Sequence, residues 1–95
     1  MEIREVSIER KLRKEVNRIG GLCFKFNSGV TGVPDRIVVY EGKTIFVEMK
    51  RTTSGIISDK QKYWLKQINA RKVRAIVIHT KTQVDEFIQR LLSDD

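Results

Sequence analysis

The chain has 95 residues, of which 40% are hydrophobic and 33% charged, and its formal net charge at neutral pH is +7. This length predicts one domain spanning residues 1–95, and the single cysteine, Cys23, excludes a disulfide framework within the chain. The longest apolar runs have four residues, far below the roughly 18 residues that a membrane-spanning helix needs. With no recognisable secretory signal, we expect a cytoplasmic protein that is neither secreted nor bound to a membrane.

The positive charge is concentrated in one segment. Between Lys43 and Arg74 there are nine basic and two acidic residues, so this segment carries the whole net charge and the rest of the chain is balanced. Such a block favours a polyanionic partner, nucleic acid above all. The alternative is a solvated basic face that only keeps the protein soluble. We expect the charge to flank a functional site.

The N-terminal third predicts a helix and a strand. Apolar residues recur there at three- and four-residue spacing, which is typical of an amphipathic helix, and Gly20-Gly21 ends it. The alternation from Leu22 to Asn27 predicts a half-buried strand, whose even-numbered residues form the apolar face. A glycine-rich loop over residues 28–34 follows.

The middle of the chain predicts a hairpin. Two segments rich in β-branched residues, Asp35–Tyr40 and Lys43–Lys50, are joined by Glu41-Gly42. A connection this short requires the two strands to be antiparallel.

The last part predicts a helix, a strand and another helix. Ser58 followed three residues later by Gln61 forms a capping box, which starts a helix at Ser58. A short buried strand is expected over Arg74–Ile78, and Thr82 is expected to cap the last helix. Because a strand–helix–strand passage of this length usually makes a right-handed parallel crossover, we predict an α/β fold of order α-β-β-β-α-β-α. Its mixed central sheet would have helices covering both faces.

The hairpin brings charged side chains together at one end. Side chains alternate along a strand, so Glu48 and Lys50 point to one face and Met49 points to the core. Counting outward from Glu41-Gly42 places Asp35 level with Glu48. We therefore expect two carboxylates and an ammonium group to converge.

This combination suits the hydrolysis of phosphodiester bonds. A hard cation such as Mg²⁺ takes carboxylate oxygens as ligands, and the backbone carbonyl of Met49 offers one more oxygen. Such a cation polarises a phosphoryl group and lowers the pKa of a bound water, while Lys50 stabilises charge in the transition state. Taken singly, Asp35 fits a turn residue and Lys50 a solvated strand end. The acid-x-Lys triplet occurs three times in the chain, so the hypothesis rests on the convergent set.

The same residues carry a resemblance to a known family. The segments Gly32–Arg36 and Phe46–Lys50, followed by Ser58 and Gln61, resemble the VRR-NUC family of the PD-(D/E)XK nuclease superfamily. The resemblance implies a restriction-endonuclease-like fold with an α-β-β-β-α-β core. It also implies endonucleolytic cleavage of DNA that depends on Mg²⁺ or Mn²⁺, often at branched structures such as Holliday junctions or flaps. Small stand-alone members, commonly encoded by phages, resemble junction resolvases and act as homodimers, which would place this chain in a bacterial or phage-infected cell.

The resemblance also assigns roles to individual residues. It implies that Asp35 and Glu48 bind the metal and that Lys50 is the catalytic lysine. Glu9 in the first helix matches a further catalytic acid and metal ligand, although its spacing alone would make it an ordinary exposed helix residue. Gln61 matches a glutamine that contacts phosphate or water.

DNA, expected to be branched, is the partner that these features predict. Candidate phosphate contacts lie at the end of the second hairpin strand and on the next helix, and the resemblance adds a basic residue of the first strand: Arg51, Lys60, Lys62, Lys66 and Lys25. A two-fold protein matches a two-fold junction, so we expect a homodimer. A helicase or a replication or repair protein is the expected class of protein partner. The rival hypothesis is a non-catalytic nucleic-acid-binding domain of the same fold, against which the retained Asp35, Glu48 and Lys50 argue.

Overall fold

The computed structural model describes residues 5–50 and 56–93. Within them the elements follow the predicted order α-β-β-β-α-β-α. None of the helices in these two ranges is long and apolar enough to cross a membrane. The elements are α1 (Glu5–Arg18), β1 (Leu22–Lys25), β2 (Arg36–Tyr40), β3 (Lys43–Met49), α2 (Asp59–Ala70), β4 (Arg74–Ile78) and α3 (Lys81–Ser93).

The four strands form one mixed sheet in the order β1-β2-β3-β4. The pairs β1–β2 and β2–β3 are antiparallel, and β3–β4 is parallel. A three-stranded meander is therefore extended by one parallel strand, which α2 connects by a crossover. This confirms the predicted α/β fold with a mixed central sheet.

A two-residue turn sets the register of the β2–β3 hairpin. Glu41 and Gly42 both have positive φ angles, 46° and 77°, as a type I′ turn requires. Such a turn matches the twist of the flanking strands, and glycine at its second position avoids backbone strain. The pairing starts at Tyr40 and Lys43 and continues without a bulge to Arg36 and Val47.

The main core lies between one face of the sheet and the two terminal helices. α1 packs on β1 and β3 and also on α3. Each large apolar side chain buried there contributes about 1.5–3 kcal/mol relative to an exposed one. The core side chains come from α1 (Ile8, Leu12, Val16), from the sheet (Cys23, Val38, Ile45, Val47, Met49, Ile78) and from α3 (Val84, Phe87, Ile88, Leu91).

The opposite face of the sheet is only partly covered, because α2 packs mainly on β4. The prediction that the even-numbered residues of β1 face the core is wrong: Leu22 and Phe24 are 58% and 48% exposed, and Cys23 is buried. The reason is the register with β2, which pairs Cys23 with Val38, a core residue under α1. The even-numbered residues therefore lie on the face that α2 leaves open.

The last helix begins earlier than its predicted cap. α3 starts at Lys81, and the hydroxyl of Thr80 accepts a hydrogen bond of 3.1 Å from the backbone N–H of Gln83. Thr82 is therefore inside the helix, and its prediction as the cap is wrong. Both threonines are acceptable caps by residue type, but only Thr80 directly precedes the first helical residue, Lys81.

The loop between β1 and β2 packs closely against the first turn of α2, and Gly32 is the loop residue at the point of contact with Lys60. Gly32 has a φ of +95°, and a Cβ atom at this position would lie 2.8 Å from the Cβ of Lys60 and 2.9 Å from its carbonyl carbon. A side chain here would force the loop away from the helix. Gly29 in the same loop also has a positive φ, +77°, but a Cβ there would have no neighbour within 4 Å.

We expect Gly32→Ala to lower the free energy of unfolding by about 2–4 kcal/mol, since it adds a steric clash to a left-handed backbone. Gly29→Ala is the matched control, because it carries the backbone strain of about 1–2 kcal/mol without the clash. Urea unfolding of both variants measures the difference. Equal losses would show that the close approach to Lys60 does not constrain the loop.

Candidate active site

The hairpin places two carboxylates opposite one another at one end of the central strands, where β2 begins and β3 ends. Arg36 pairs with Val47, so the next position outward sets Asp35 against Glu48, as predicted. The pairing of β1 extends to the same point, because the N–H of Phe26 donates to the carbonyl of Asp35 over 2.8 Å. Glu48 is buried and Asp35 is half-buried.

Both oxygens of the Asp35 carboxylate are held by neighbouring groups. Its Oδ1 accepts a hydrogen bond of 3.3 Å from the backbone N–H of Met49, and its Oδ2 lies 2.9 Å from Nη1 of Arg36. The same Nη1 donates to the backbone carbonyl of Asp35 over 3.1 Å. The Met49 side chain is anchored in the core, so the N–H that faces Asp35 has a fixed position.

The side chain of Glu48 is oriented from α2. Nε2 of Gln61 donates to Oε2 of Glu48 over 3.3 Å. The other end of this amide, Oε1, accepts from the N–H of Ser58 over 2.8 Å, while the Ser58 hydroxyl accepts from the N–H of Gln61. The predicted capping box is present, and it turns the NH₂ group of Gln61 toward Glu48. One side chain thus caps the helix and contacts the site.

Lys50 follows directly after β3, on the same face as Glu48 by strand alternation. Its backbone N–H donates to the carbonyl of Ile78 over 2.9 Å, so the parallel pairing with β4 holds the chain in place up to this residue. Its side chain is half-buried. The predicted set of Asp35, Glu48 and Lys50 therefore lies at one edge of the sheet.

Glu9 is placed differently from the other acids. It is buried on α1 and forms ion pairs with Arg13 over 3.5 Å and with Nε of Arg36 over 3.7 Å. It approaches Asp35 through the Arg36 guanidinium, which lies between the two. Among residues 5–50 and 56–93, no three His, Cys, Asp or Glu side chains are grouped so as to hold one metal ion. The assignment of Glu9 as a metal ligand stays a prediction.

Arg36 is a site residue that the sequence reasoning missed. Its side chain is 9% exposed and pairs with two carboxylates. Arg36 is two residues before Val38 on β2, so both side chains lie on the same face of the sheet. Because Val38 is a core residue, the alternation along the strand already predicted a cation on the buried face. A buried guanidinium needs acidic partners, and this signal could have linked Arg36 to Glu9.

Cys23 lies in the core below this ion-pair cluster. Burial raises the pKa of its thiol to about 11, the Glu9 carboxylate adds to the increase, and Arg36 and Arg13 oppose it. The thiol is therefore protonated at neutral pH, which excludes a thiolate nucleophile.

A cavity of about 420 Å³ opens beside Asp35. Its lining combines the carboxylate with a lysine of β1 and with residues of the loop that follows. Lys25 is exposed there, as its predicted contact with nucleic acid requires. The lining includes Lys25, Phe26, Asn27, Val33, Asp35 and Arg36.

The basic segment divides between the two edges of the sheet, so the expectation that all of it flanks the site is wrong. Lys60 and Lys62 are exposed on the first turn of α2, near Gln61, and Lys66 is exposed one turn later. Other basic residues lie at the opposite end of the strands, because β3 and α2 each extend from one end of the sheet to the other. Those residues are Lys43, Arg71, Lys72 and Arg74. Arg51, the remaining predicted contact, lies outside the described residues.

The fold and this edge together define a class of protein: a mixed α/β domain with a paired Asp and Glu followed by Lys, the kind of set that nucleases use for phosphodiester chemistry. A family model confirms the class. The model of the VRR-NUC domain matches residues 3–82, and the chain belongs to this family. Membership of the PD-(D/E)XK superfamily is consistent with it.

Two further comparisons agree with this assignment. A solved structure described as a VRR_NUC domain is 25% identical to this chain and has a TM-score of 0.83, covering 92% of this chain and 96% of its own. A phage protein, "Putative nuclease p44" of Acyrthosiphon pisum secondary endosymbiont phage 1, is 58% identical over 50 residues. The aligned part is 50% of this chain and 54% of the phage protein, so the chain spans about half the length of this curated relative. The family model and the solved structure thus agree on a VRR-NUC domain.

We expect Arg36→Met to lower the free energy of unfolding by about 3–5 kcal/mol, because it leaves the buried Glu9 carboxylate without its buried partner. Arg13→Met removes the other, half-exposed partner of Glu9 and should cost less than about 1 kcal/mol. Urea unfolding of the two variants is the measurement. A decrease for Arg36→Met no larger than that for Arg13→Met would contradict the structural importance of this buried pair.

Proposed function

We propose that this protein is a metal-dependent endonuclease that hydrolyses phosphodiester bonds in DNA. The observation that carries the proposal is the register of the hairpin, which pairs Arg36 with Val47 and so sets the next residues, Asp35 and Glu48, opposite each other. Lys50 follows directly after the end of β3. Family membership supports a nuclease. The name of the phage relative supports the same activity, although the match extends over only half of that protein.

The donor set fits a hard divalent cation. Asp35 and Glu48 offer carboxylate oxygens, and the carbonyl of Met49 lies between Glu48 and Lys50 on the same strand. Each carboxylate takes part in hydrogen bonds with N–H donors, and ionised carboxylates have further lone pairs available as ligands. Oxygen ligands of this type suit Mg²⁺ or Mn²⁺. When bound, such a cation polarises the phosphoryl group and lowers the pKa of a bound water.

The protein's own residues supply orientation and charge. The N–H of Met49 and the guanidinium of Arg36 hold the Asp35 carboxylate in one orientation, so little reorganisation is needed when substrate arrives. Lys50 places an ammonium group where negative charge develops on the phosphoryl oxygens. Gln61 keeps Glu48 directed toward the site from α2.

The exposed lysines near the site are the proposed contacts for the DNA backbone. Lys60, Lys62 and Lys66 on α2 and Lys25 on β1 are exposed and lie on elements that border Asp35 or Glu48. Such contacts are independent of sequence and weaken as salt is added. A small domain with few base-reading elements would select its substrate by shape, which favours branched DNA.

Replacing Asp35 separates cleavage from binding. We expect Asp35→Asn to reduce the cleavage rate of a labelled four-way junction or flap at least 100-fold in Mg²⁺, because it removes a ligand charge, while junction affinity stays within about threefold. EDTA should abolish cleavage by the wild type. Gel assays with branched, duplex and single-stranded DNA in Mg²⁺, Mn²⁺ or EDTA measure both properties.

The matched control for that substitution is Asp85→Asn, an exposed acid of α3 that pairs with Lys11, which should cleave like the wild type. Cleavage by Asp35→Asn at the wild-type rate would refute the site assignment. Binding by the wild type without cleavage of any DNA would favour the rival hypothesis, a non-catalytic binding domain.

We also propose that the protein acts as a homodimer through the open face of the sheet. Leu22 and Phe24 of the edge strand β1 are largely exposed, and Ile37 and Val39 beside them are half-buried. An exposed apolar strip of this kind is typical of an interaction surface. A second copy would cover it and give the two-fold symmetry that a junction presents.

We expect Leu22→Glu to shift the protein from dimer to monomer in sedimentation velocity, because it places a charge in the proposed interface. Leu92→Glu on α3 is the control, since Leu92 is 50% exposed but lies away from this strip. A wild type that is monomeric both alone and with a four-way junction would rule out dimerisation. A Leu22→Glu variant that remains dimeric would rule out this face.

A further inference from the structure

The single histidine of the chain, His79, lies beside Lys50 at the end of the strands that carries the candidate site. The parallel register pairs Met49 of β3 with Ile78 of β4. It continues by one more residue, because the N–H of Lys50 donates to the carbonyl of Ile78 over 2.9 Å. The next residues of the two strands, Lys50 and His79, are therefore neighbours across the ladder.

Strand alternation puts His79 on the face of the sheet that carries Glu48. Glu48 pairs with Val77, and two residues further along each strand the same face is reached again, at Lys50 and His79. Neighbouring strands are about 4.8 Å apart, so the imidazole and the lysine stem are adjacent side chains. Both residues are half-buried.

The start of α3 holds the backbone of His79 in place. Its N–H donates to Oε1 of Gln83 over 2.8 Å, and the N–H of Gln83 in turn donates to the hydroxyl of Thr80. The imidazole is therefore carried by a segment that is fixed both by the sheet and by the first turn of a helix.

One ring nitrogen of His79 lacks a hydrogen-bond partner in the part of the chain that the structure describes. This atom, Nδ1, is buried, although the residue as a whole is half-buried. A buried polar atom without a partner is costly. A lone pair at this position needs a donor, and the register makes Lys50 the donor-bearing side chain beside it.

We infer that His79 is a positioning residue for Lys50: Nδ1 of the neutral imidazole accepts a hydrogen bond from the ammonium group and directs that group toward the phosphoryl oxygens. The inference rests on the proposed function, which gives Lys50 its part in the reaction. A lysine stem is flexible, so a fixed acceptor beside it restricts the direction of the ammonium group before substrate arrives. The proton of the neutral ring then lies on Nε2.

The first test reads the protonation of the ring without metal or DNA. Because the chain has one histidine, ¹⁵N NMR of the labelled protein shows a single imidazole. At about pH 8.5, above the ordinary pKa of histidine, we expect the proton on Nε2 and an unprotonated Nδ1. Lys50→Met removes the donor and keeps the stem, so it should shift the Nδ1 resonance. Lys81→Met, at an exposed position in the first turn of α3, is the control and should not shift it.

The second test compares three replacements of His79. Asparagine places an amide oxygen as many bonds from the backbone as Nδ1, glutamine places it one bond farther, and leucine has none. We expect His79→Leu and His79→Gln to slow single-turnover cleavage in Mg²⁺ about 10- to 50-fold, the scale of a misplaced reacting group. His79→Asn should stay within about fivefold of the wild type. The substrate is the DNA that the wild type cleaves fastest, and its affinity in EDTA should change less than about twofold in all three variants.

A role in packing alone would give the opposite order. If the ring only filled space, leucine would be the best replacement and asparagine, the smallest and a polar one, the worst. Thermal unfolding of the same three variants gives this packing order directly. Cleavage that is highest in His79→Asn while its thermal midpoint is the lowest therefore identifies positioning.

Any of three results would overturn the inference. These are a neutral ring with its proton on Nδ1, an Nδ1 resonance that Lys50→Met does not shift, and cleavage by His79→Asn no faster than by His79→Leu. A wild type that cleaves DNA and shows one of these results rejects the role of His79 and leaves the proposed function in place. A wild type that cleaves no DNA in Mg²⁺ or Mn²⁺ refutes the proposed function, and the role of His79 in the reaction is rejected with it.

Discussion

The register of the β2–β3 hairpin is the constraint on which the site depends. The two-residue turn at Glu41 and Gly42 fixes which residues face each other along both strands, and it sets Asp35 against Glu48. Because side chains alternate, a slip of one residue would move Glu48 into the core and turn Met49 outward. The hydrophobic core under α1 and α3 prevents this slip, since Val47 and Met49 are both buried there. Core packing and site geometry therefore specify the same pairing.

Charge compensation then attaches the N-terminal helix to that hairpin. Arg36 is buried between Glu9 of α1 and Asp35, and its guanidinium pairs with both. Ion pairs in a low-dielectric interior are costly to separate, so displacement of α1 would expose the charge that orients the Asp35 carboxylate. The orientation of a surface carboxylate is in this way linked to the packing of a helix whose apolar face makes up much of the core.

Local sequence patterns predicted most of the elements, and the resemblance added the family. Turn chemistry and strand alternation predicted the hairpin, the position of Asp35 opposite Glu48, and the capping box at Ser58. These patterns depend on residues that are close together in sequence. The buried side of β1 did not follow, because the choice between its two faces depends on where α1 and α3 pack. The contacts of Arg36 and the placement of Lys43, Lys72 and Arg74 away from the site were missed for the same reason, since both depend on how segments far apart in sequence pack together. Thr80, not Thr82, caps α3 because the helix already begins at Lys81.

The double contact of Gln61 limits how this domain can vary. The amide oxygen accepts at the start of α2 and the amide nitrogen donates to Glu48. Glutamine is the side chain that carries a carbonyl acceptor and an NH₂ donor on one terminal carbon at this length. Glutamate keeps the acceptor but loses the donor, and it sets a second negative charge against Glu48. Selection acting on helix stability and selection acting on chemistry would therefore act on the same position. A substitution at Gln61 would therefore change both the capping of α2 and the orientation of Glu48.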